Sequence, residues 1–588
     1  MSESKVAQAF AATFVDELAR SGLRDVCISP GSRSAPLAIA FARHPAIRVW
    51  MHVDERSSSF FALGMAKAED RPVAVVCTSG TAAAELHPAV VEAHHSSTPL
   101  LLLTADRPPE LRDVGANQAI DQTRLFGGAV RWFFDPGPPE ETAGAQRRWR
   151  RLAARGLAES QGPPAGPVHL NLPLREPLTV APGEEPGAAA AADPPTRLWR
   201  GLAPPAAELL DAVAARIGSA TRPLVVAGEM RQGQRLRLAL DAVLNRLDAP
   251  LLAEPGSQLR RRSAVGLVEA YDALLREPEW ADAHRPDLVL RLGAPPTSKP
   301  LNQLLARSQA TVVALDPEGS WRDPDQLAGE MVRCDPEPFL HQLADRLLGA
   351  PGRWQQEWRD AGAVAAAAIE RRLARSPLHE GHVVTCLAQA LPERARVFVG
   401  SSMAIRDVDT FWPPHAPGQR FYGNRGASGI DGLVSTGLGM AARAENDEQP
   451  VLLLGDLSLY HDMNGLWAIK RHGLRAVVVV LDNGGGGIFE FLPPAAHADV
   501  FEELFATPLG LSWEQVARLY DLDFAEACEP AELEAALQEA LASEKSTLVC
   551  ARFERSASVQ GHRACWAAVA EGLLLLSRAG SRGRRAAP

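Results

Sequence analysis

Residues 451–493 read VLLLGDLSLYHDMNGLWAIKRHGLRAVVVVLDNGGGGIFEFLP, and the reading of this stretch decides the fold. An apolar run, Val451–Leu454, stops at Gly455-Asp456. Leu459, Met463, Leu466 and Ile469 follow at three- and four-residue steps, the spacing of one helix face. A second apolar run, Ala476–Leu481, stops at Asp482-Asn483 and the glycines 484–487. Strand–helix–strand crossovers of this kind make the two strands parallel. Both polar ends then fall on the carboxyl edge of one sheet, where open α/β sheets bind ligands.

Asp456 and Asn483 are 27 positions apart, the length of one βαβ unit. On neighbouring strands their side chains start roughly 5 Å apart. A carboxylate, an amide oxygen and a carbonyl from a glycine loop suit a hard cation that completes its shell with phosphate and water. The glycines let the backbone approach a bulky anion. A helix-capping Asp and a flexible turn would account for Gly455-Asp456 alone. They do not account for the crossover and the four glycines behind Asn483.

A chain of 588 residues holds several domains. Its 46% hydrophobic and 22% charged content is that of a globular protein. The formal charge of −10 argues against nucleic acid or an anionic membrane as the main partner. The seven cysteines form no CxxC pair and mostly sit in apolar runs, as expected of reduced thiols in a cytoplasmic protein. The start, MSESKVAQAFAATFVDELARSGL, lacks the basic and apolar regions of a signal peptide. No apolar run reaches the ~20 residues of a membrane helix.

Taken in order, the pattern predicts an α/β domain over residues 1–182, a linker over 183–205 and a middle α/β domain over 206–350. A connecting helix over 351–377, a third α/β domain over 378–568 and a tail over 569–588, irregular after about Ser577, complete the chain. Predicted strands in the first domain are Asp25–Ile28, Arg48–Val53, Val73–Cys77 and Leu100–Leu103, each delivering polar residues or glycine at its carboxyl end. The middle domain has Leu224–Ala227, Leu288–Leu292 and Thr311–Leu315; the third has Arg396–Val399 and Thr547–Phe553 besides the opening stretch. The fold class is α/β, with three doubly wound parallel-sheet domains. The first and third domains repeat each other. FFALGMAKAEDRPVAVVCT lies over STGLGMAARAENDEQPVLLLGD with short gaps, and with the strand ends aligned Thr78 falls opposite Asp456 and Arg107 opposite Asn483. One copy keeps the metal carboxylate, leaving the other free to hold a different part of the same ligand.

The GD…N spacing resembles the diphosphate-binding signature of thiamine-diphosphate enzymes. That resemblance implies a thiamine diphosphate site with Mg²⁺ (Mn²⁺ in its place) held by Asp456, Asn483 and the Gly485 carbonyl, with Gly455 beside it. Leu457 stands where the family often has Gly. It also implies that the first and third domains bind the pyrimidine and the diphosphate across a subunit interface, in a homodimer or homotetramer. Glu55 stands where the family's glutamate contacts the aminopyrimidine ring; a carboxyl of raised pKa there holds a proton on the ring nitrogen. Read alone, Glu55 is an acid in a helix's first turn.

SPGSRSAPLAIA (29–40), DERSSSFFALG (54–64), TSGTAAAEL (78–86), TADRPPELRDVGANQAIDQ (104–122) and GNRGASGIDG (423–432) are similar to one branch of that family. This branch comprises the menaquinone-pathway synthases, transferases that decarboxylate 2-oxoglutarate and add the succinyl unit to isochorismate. Both substrates are dianions, and the resemblance assigns them Arg33, Arg107, Arg406 and Arg425, which can clamp carboxylates in bidentate fashion. Carried over in the same way are Ser32, Asn117, Gln118, Ser402 and Lys299 as substrate or cofactor contacts. Ile430 would bend the cofactor, and Ile488 and Phe489 would line its apolar wall. Pro300 replaces a second basic residue of some relatives, Ser401 an Asn and Ala404 a Pro.

Two rivals remain at this point. An acetolactate-synthase-like carboligase would not need the arginine set. A silent paralogue that binds nucleotide or diphosphate as a sensor would not need Glu55, Asp456 and Asn483 together.

Overall fold

The computed structural model describes residues 2–184, 186, 196, 199, 201–416 and 418–585, so most of the expected linker lies outside the described residues. The chain divides into two compact units. One comprises Met1–Arg200, Asn424–Arg443 and His461–Leu474; the other comprises Gly201–Gly423, Ala444–Tyr460 and Arg475–Pro588.

The first unit is built on a sheet of β1 (Asp25–Ile28), β2 (Arg48–Met51), β3 (Val73–Cys77), β4 (Leu100–Asp106), β5 (Trp132–Phe134) and β6 (Pro167–Pro173). The order is β2-β1-β3-β4-β6-β5, parallel throughout. Its central strands are apolar along their length because helices cover both faces, so β3 and β4 are buried at every position. Two helices of this unit, Glu55–Glu69 and Leu433–Ala441, cross on glycines. A Cβ on Gly64 would stand 1.9 Å from the Thr436 carbonyl oxygen, and one on Gly439 2.0 Å from that of Phe61.

The second unit has two parallel sheets. The middle one contains β7 (Pro223–Ala227), β8 (Leu251–Ala253), β9 (Leu288–Leu292), β10 (Thr311–Leu315) and β11 (Ala328–Val332), in the order β11-β10-β9-β7-β8. The third contains β12 (Ala395–Val399), β13 (Gln419–Tyr422), β14 (Gln449–Gly455), β15 (Val477–Asp482), β16 (Asp523–Ala527) and β17 (Thr547–Arg552). Its order is β13-β12-β14-β15-β17-β16. One apolar core runs through both sheets and takes in Trp358 of the helix Arg353–Leu373, the expected connecting helix.

The first and third sheets have the same order when each is counted from its own first strand: 2-1-3-4-6-5. Thr78 follows β3 as Asp456 follows β14, and Arg107 follows β4 as Asn483 follows β15. The repeat seen in the sequence is therefore a repeat of topology, in the register the sequence suggested.

Several expectations are corrected. The crossover helix of the opening stretch is broken into Asp456–His461, a 3₁₀ turn Met463–Leu466 and Trp467–His472. Asp462, fully buried, accepts the Ser435 N–H (2.6 Å), and this polar anchor interrupts the helix between its two halves. The closing helix runs Arg555–Arg585, so residues 578–585, expected to be irregular, are helical. β2 ends at Met51, not Val53, and β4 runs on to Asp106. Five cysteines are buried, but Cys528 is exposed. Among the described residues, no helix is long and apolar enough to cross a membrane.

Candidate active site

β14 and β15 pair with Gly455 opposite Leu481, so Asp456 is level with Asp482 and Asn483 lies one step further out. Asp456 opens the helix Asp456–His461. Its Oδ1 accepts the Leu457 N–H (2.7 Å) and its Oδ2 the Gly485 N–H (2.6 Å). Burial, with Asp482 as a like-charged neighbour, pushes its pKa up to about 7 against those hydrogen bonds. The charge of Arg555 lowers it, but burial and the charge of Asp482 outweigh that. Asn483 is buried; its Nδ2 donates to Glu380 Oε1 (3.2 Å), while its Oδ1 is a buried oxygen with no hydrogen-bond partner. Gly485 has φ +118°, and a Cβ there would stand 1.9 Å from the Ala506 carbonyl oxygen, so only glycine fits. Its carbonyl takes one hydrogen bond, from Gly487 N–H (2.8 Å), and keeps a lone pair. Arg555 ties down the loop by donating to the Gly484 carbonyl and pairing with Glu490 and Glu502.

Three such oxygens, a buried carboxylate, an orphaned amide oxygen and a carbonyl with a spare lone pair, fit a divalent cation of the Mg²⁺ type. Beyond them, Ile488 and Phe489 are partly buried, and the Phe489 ring lies 5.6 Å from that of Phe505. At the end of β12, Ser402 has φ +68°, and its carbonyl accepts from the exposed Arg406.

In the first unit, Glu55 is the first residue of its helix, behind the cap Asp54, which accepts the Ser57 N–H (3.0 Å). It is half-buried, and burial raises its pKa, with Asp54 and Glu85 adding to the shift against its own backbone hydrogen bond. It is thus a first-turn acid, as the sequence suggested, and one whose pKa burial raises.

Arg33, behind β1, is buried and donates to the Leu174 carbonyl (2.9 Å) and to Glu176 Oε1 (2.8 Å). Arg107, behind β4, donates to Ser79 Oγ, and Ser79 Oγ donates to the Gln118 carbonyl (3.0 Å). Gln118 itself has φ +55° and returns a bond from Nε2 to the Ser79 carbonyl (3.1 Å). Burial, and then the charge of Arg33, lowers the pKa of Arg107. Segments after three strands of one sheet, β1, β3 and β4, thus carry Arg33, Ser79, Arg107 and Gln118, with Ser32 and Asn117 exposed at the rim. Arg425 and Ile430 ride on the loop 423–432, which Glu92 holds by accepting the N–H groups of Gly426 (3.0 Å) and Ala427 (2.6 Å). Glu92 is itself paired with Lys67 (2.8 Å). Lys299 is exposed at the start of the helix Lys299–Ser308 behind β9, on the middle sheet.

Sequence reasoning passed over Ser79, Glu92, Glu380 and Arg555. Ser79 sits inside a quoted motif and was within reach. The other three act from helices remote in sequence from the loops they hold.

Three family descriptions match the chain. The N-terminal TPP binding domain of thiamine pyrophosphate enzymes matches residues 8–125, the middle domain of thiamine pyrophosphate enzymes 210–399, and the C-terminal TPP binding domain 407–551. Relatives match over nearly the whole chain. A 2-succinyl-5-enolpyruvyl-6-hydroxy-3-cyclohexene-1-carboxylate synthase of Geobacillus kaustophilus is 45% identical over 95% of this chain and 97% of its own. Proteins of the same name from Roseiflexus castenholzii and Haloquadratum walsbyi are each 41% identical, over 94% and 88% of this chain and 98% and 90% of theirs. The chain belongs to this synthase family of thiamine pyrophosphate enzymes. Within it, Arg33, Glu55, Arg107 and Gln118 fall in the N-terminal cofactor domain, and Asp456, Asn483 and Gly485 in the C-terminal one.

Proposed function

We propose that this enzyme decarboxylates 2-oxoglutarate with thiamine diphosphate and adds the succinyl unit to isochorismate. The products are 2-succinyl-5-enolpyruvyl-6-hydroxy-3-cyclohexene-1-carboxylate and CO₂, in menaquinone biosynthesis. The observation that carries the choice of substrates is the arginine pair. Arg33 stands close enough to Arg107 for its charge to lower the pKa of Arg107, at the binding edge of a protein whose net charge is −10. Concentrating cations there makes sense for dianionic substrates.

Bound thiamine diphosphate supplies the electron sink for the carbon–carbon chemistry. The chain's own residues do the rest. Asp456, Asn483 and Gly485 hold Mg²⁺, or Mn²⁺ in its place, and through it fix the diphosphate. The Glu55 carboxyl holds a proton at the pyrimidine ring nitrogen, a role its raised pKa favours. Arg33, Arg107 and Gln118 orient substrate carboxylates, with Ser32, Asn117, Lys299, Ser402, Arg406 and Arg425 as further contacts. Ile430 bends the cofactor, and Ile488 and Phe489 give it an apolar wall that excludes water. The working form is a cytoplasmic homodimer or homotetramer, with active sites at the subunit interface.

The test is CO₂ release from 2-oxoglutarate with thiamine diphosphate and Mg²⁺, with and without isochorismate. Release that requires isochorismate and consumes its absorbance supports the reading. Release from pyruvate instead would move the enzyme to the acetolactate-like class.

A further inference from the structure

We infer that Glu380 is a positioning residue for the cation: its carboxylate turns the Asn483 amide so that Oδ1, and not Nδ2, faces the metal. The inference rests on the reading of Asp456, Asn483 and Gly485 as the cation cradle.

An asparagine amide is nearly symmetric in shape but not in chemistry. Only its oxygen can ligate a hard cation, whereas its NH₂ carries two donors that would repel one. Something must therefore choose the face. Glu380, with no exposed surface, is the first residue of the helix Glu380–Ala390. Its Oε1 accepts from Asn483 Nδ2 (3.2 Å) and from Ser558 Oγ (2.9 Å). An ionised carboxylate only accepts, so the amide must present Nδ2 to it. That leaves Oδ1 on the far side, buried and without a partner.

The surroundings offer another use for Glu380, which the geometry rejects. Donor atoms of His379, Glu380 and His562 lie within 4.8 Å of one another, all buried, as in a metal site. But His379 Nδ1 accepts the Gly381 N–H (3.1 Å), so the proton of the neutral ring sits on Nε2. His562 donates from both nitrogens, to the Ser558 carbonyl (2.8 Å) and to Asp407 (2.9 Å). Neither imidazole has a lone pair to give. The cluster is scaffolding for Glu380, and its service to a cation runs through Asn483.

Supporting partners of this kind typically change metal affinity 10–100-fold when removed. Mn²⁺ binding to the full-length protein in the presence of thiamine diphosphate, followed by electron paramagnetic resonance of the free ion, reads this directly. Glu380→Ala should weaken Mn²⁺ binding about 10–100-fold. Glu380→Gln, which keeps an acceptor oxygen, should recover most of the loss. In an Asn483→Asp background either ligand oxygen serves, so Glu380→Ala should cost little or nothing there, a coupling that a merely structural role would not produce. Equal losses in both backgrounds, or wild-type affinity in Glu380→Ala, would overturn the inference; if Glu380→Ala does not fold, Glu380→Met, which keeps the volume but removes the acceptor, takes its place in both backgrounds. If the wild-type protein fails to bind Mn²⁺ with the cofactor, it is the cradle itself that falls.

Discussion

Thr78 and Asp456 occupy one position in two sheets of identical strand order: each is the first residue beyond the third strand of its sheet. One strand over, Arg107 and Asn483 stand in the same relation. Where one copy has a carboxylate and an amide, the other has a hydroxyl and a guanidinium. The duplicated fold thus presents opposite electrostatics at equivalent edges.

Removing the metal end should abolish cofactor retention. Asp456→Ala takes away the only carboxylate of the cradle and should weaken Mg²⁺-dependent binding of thiamine diphosphate by more than the roughly 100-fold that losing a supporting partner costs. Fluorescence titration of the cofactor against Mg²⁺ checks this. Because the wild-type carboxyl is pushed up to about 7 by burial, cation binding to the wild type should also weaken as pH falls through that value.

Much of this was legible because central strands of a parallel sheet are apolar on both faces, so VLLL, AVVVVL and LLLL announce themselves. Of the six strands that went unseen, five lie at sheet edges, β5, β8, β11, β13 and β16; the sixth, β6, is central and buried, but PVHLNLP mixes His and Asn into its apolar run. Edge strands are short or half-exposed, and WFF or DFAEA carries no clear alternation. The site residues on strand ends were legible for the same reason. Glu380 was not: HEGHV reads only as a helix start, and its bond to Asn483 spans 103 positions.

Glu55→Gln keeps the size and the hydrogen-bonding capacity of the side chain but not its acid–base chemistry. Turnover should fall about 10²–10⁴-fold, the usual contribution of a positioned acid or base, while cofactor affinity changes little. Single-turnover kinetics beside a cofactor titration separate the two effects. Unchanged turnover would remove Glu55 from the mechanism.

The buried pair His562–Asp407 predicts a pH signature in stability. Burial opposes the imidazolium charge, but the hydrogen bond and charge of Asp407 outweigh it and raise His562 from 6.5 to about 9. Burial also raises Asp407 to about 6, with His562 limiting the rise and Glu380 adding to it. The folded chain holds the His562 proton more tightly than the unfolded chain does. This stabilisation is therefore complete below pH 6.5 and is lost as pH rises through about 9. The unfolding temperature should fall across that window. In His562→Gln the decline should flatten, on top of an overall loss of about 3–5 kcal/mol for leaving Asp407 without its partner.

The helix crossing beneath Glu55 offers a test of positioning. Gly64→Ala would push a methyl to within 1.9 Å of the Thr436 carbonyl, with backbone on both sides and no side chain free to yield. Overpacking of this kind costs about 1–3 kcal/mol. Since Glu55 begins the same helix, turnover should fall more than the loss of folded protein explains. Circular dichroism melts and activity per folded molecule provide the comparison.

Arg33 and Arg107 should separate substrate binding from chemistry. Arg33 already spends one guanidinium edge on Leu174 and Glu176, whereas Arg107 donates to a neutral hydroxyl. Arg107 is therefore the freer cation for a carboxylate, and Arg33 the stiffer one. A hydrogen bond to a charged group contributes about 1.5–3 kcal/mol, so Arg107→Gln should raise KM for one dianionic substrate about 10- to 150-fold. Thiamine diphosphate affinity should not move, because the cradle at β14 and β15 is untouched. Arg33→Gln should show the same KM effect together with lower stability, since it leaves the Leu174 carbonyl without its donor. Steady-state kinetics with each substrate varied in turn identify which dianion each arginine holds; a KM unchanged for both in Arg107→Gln would place that arginine outside the substrate site.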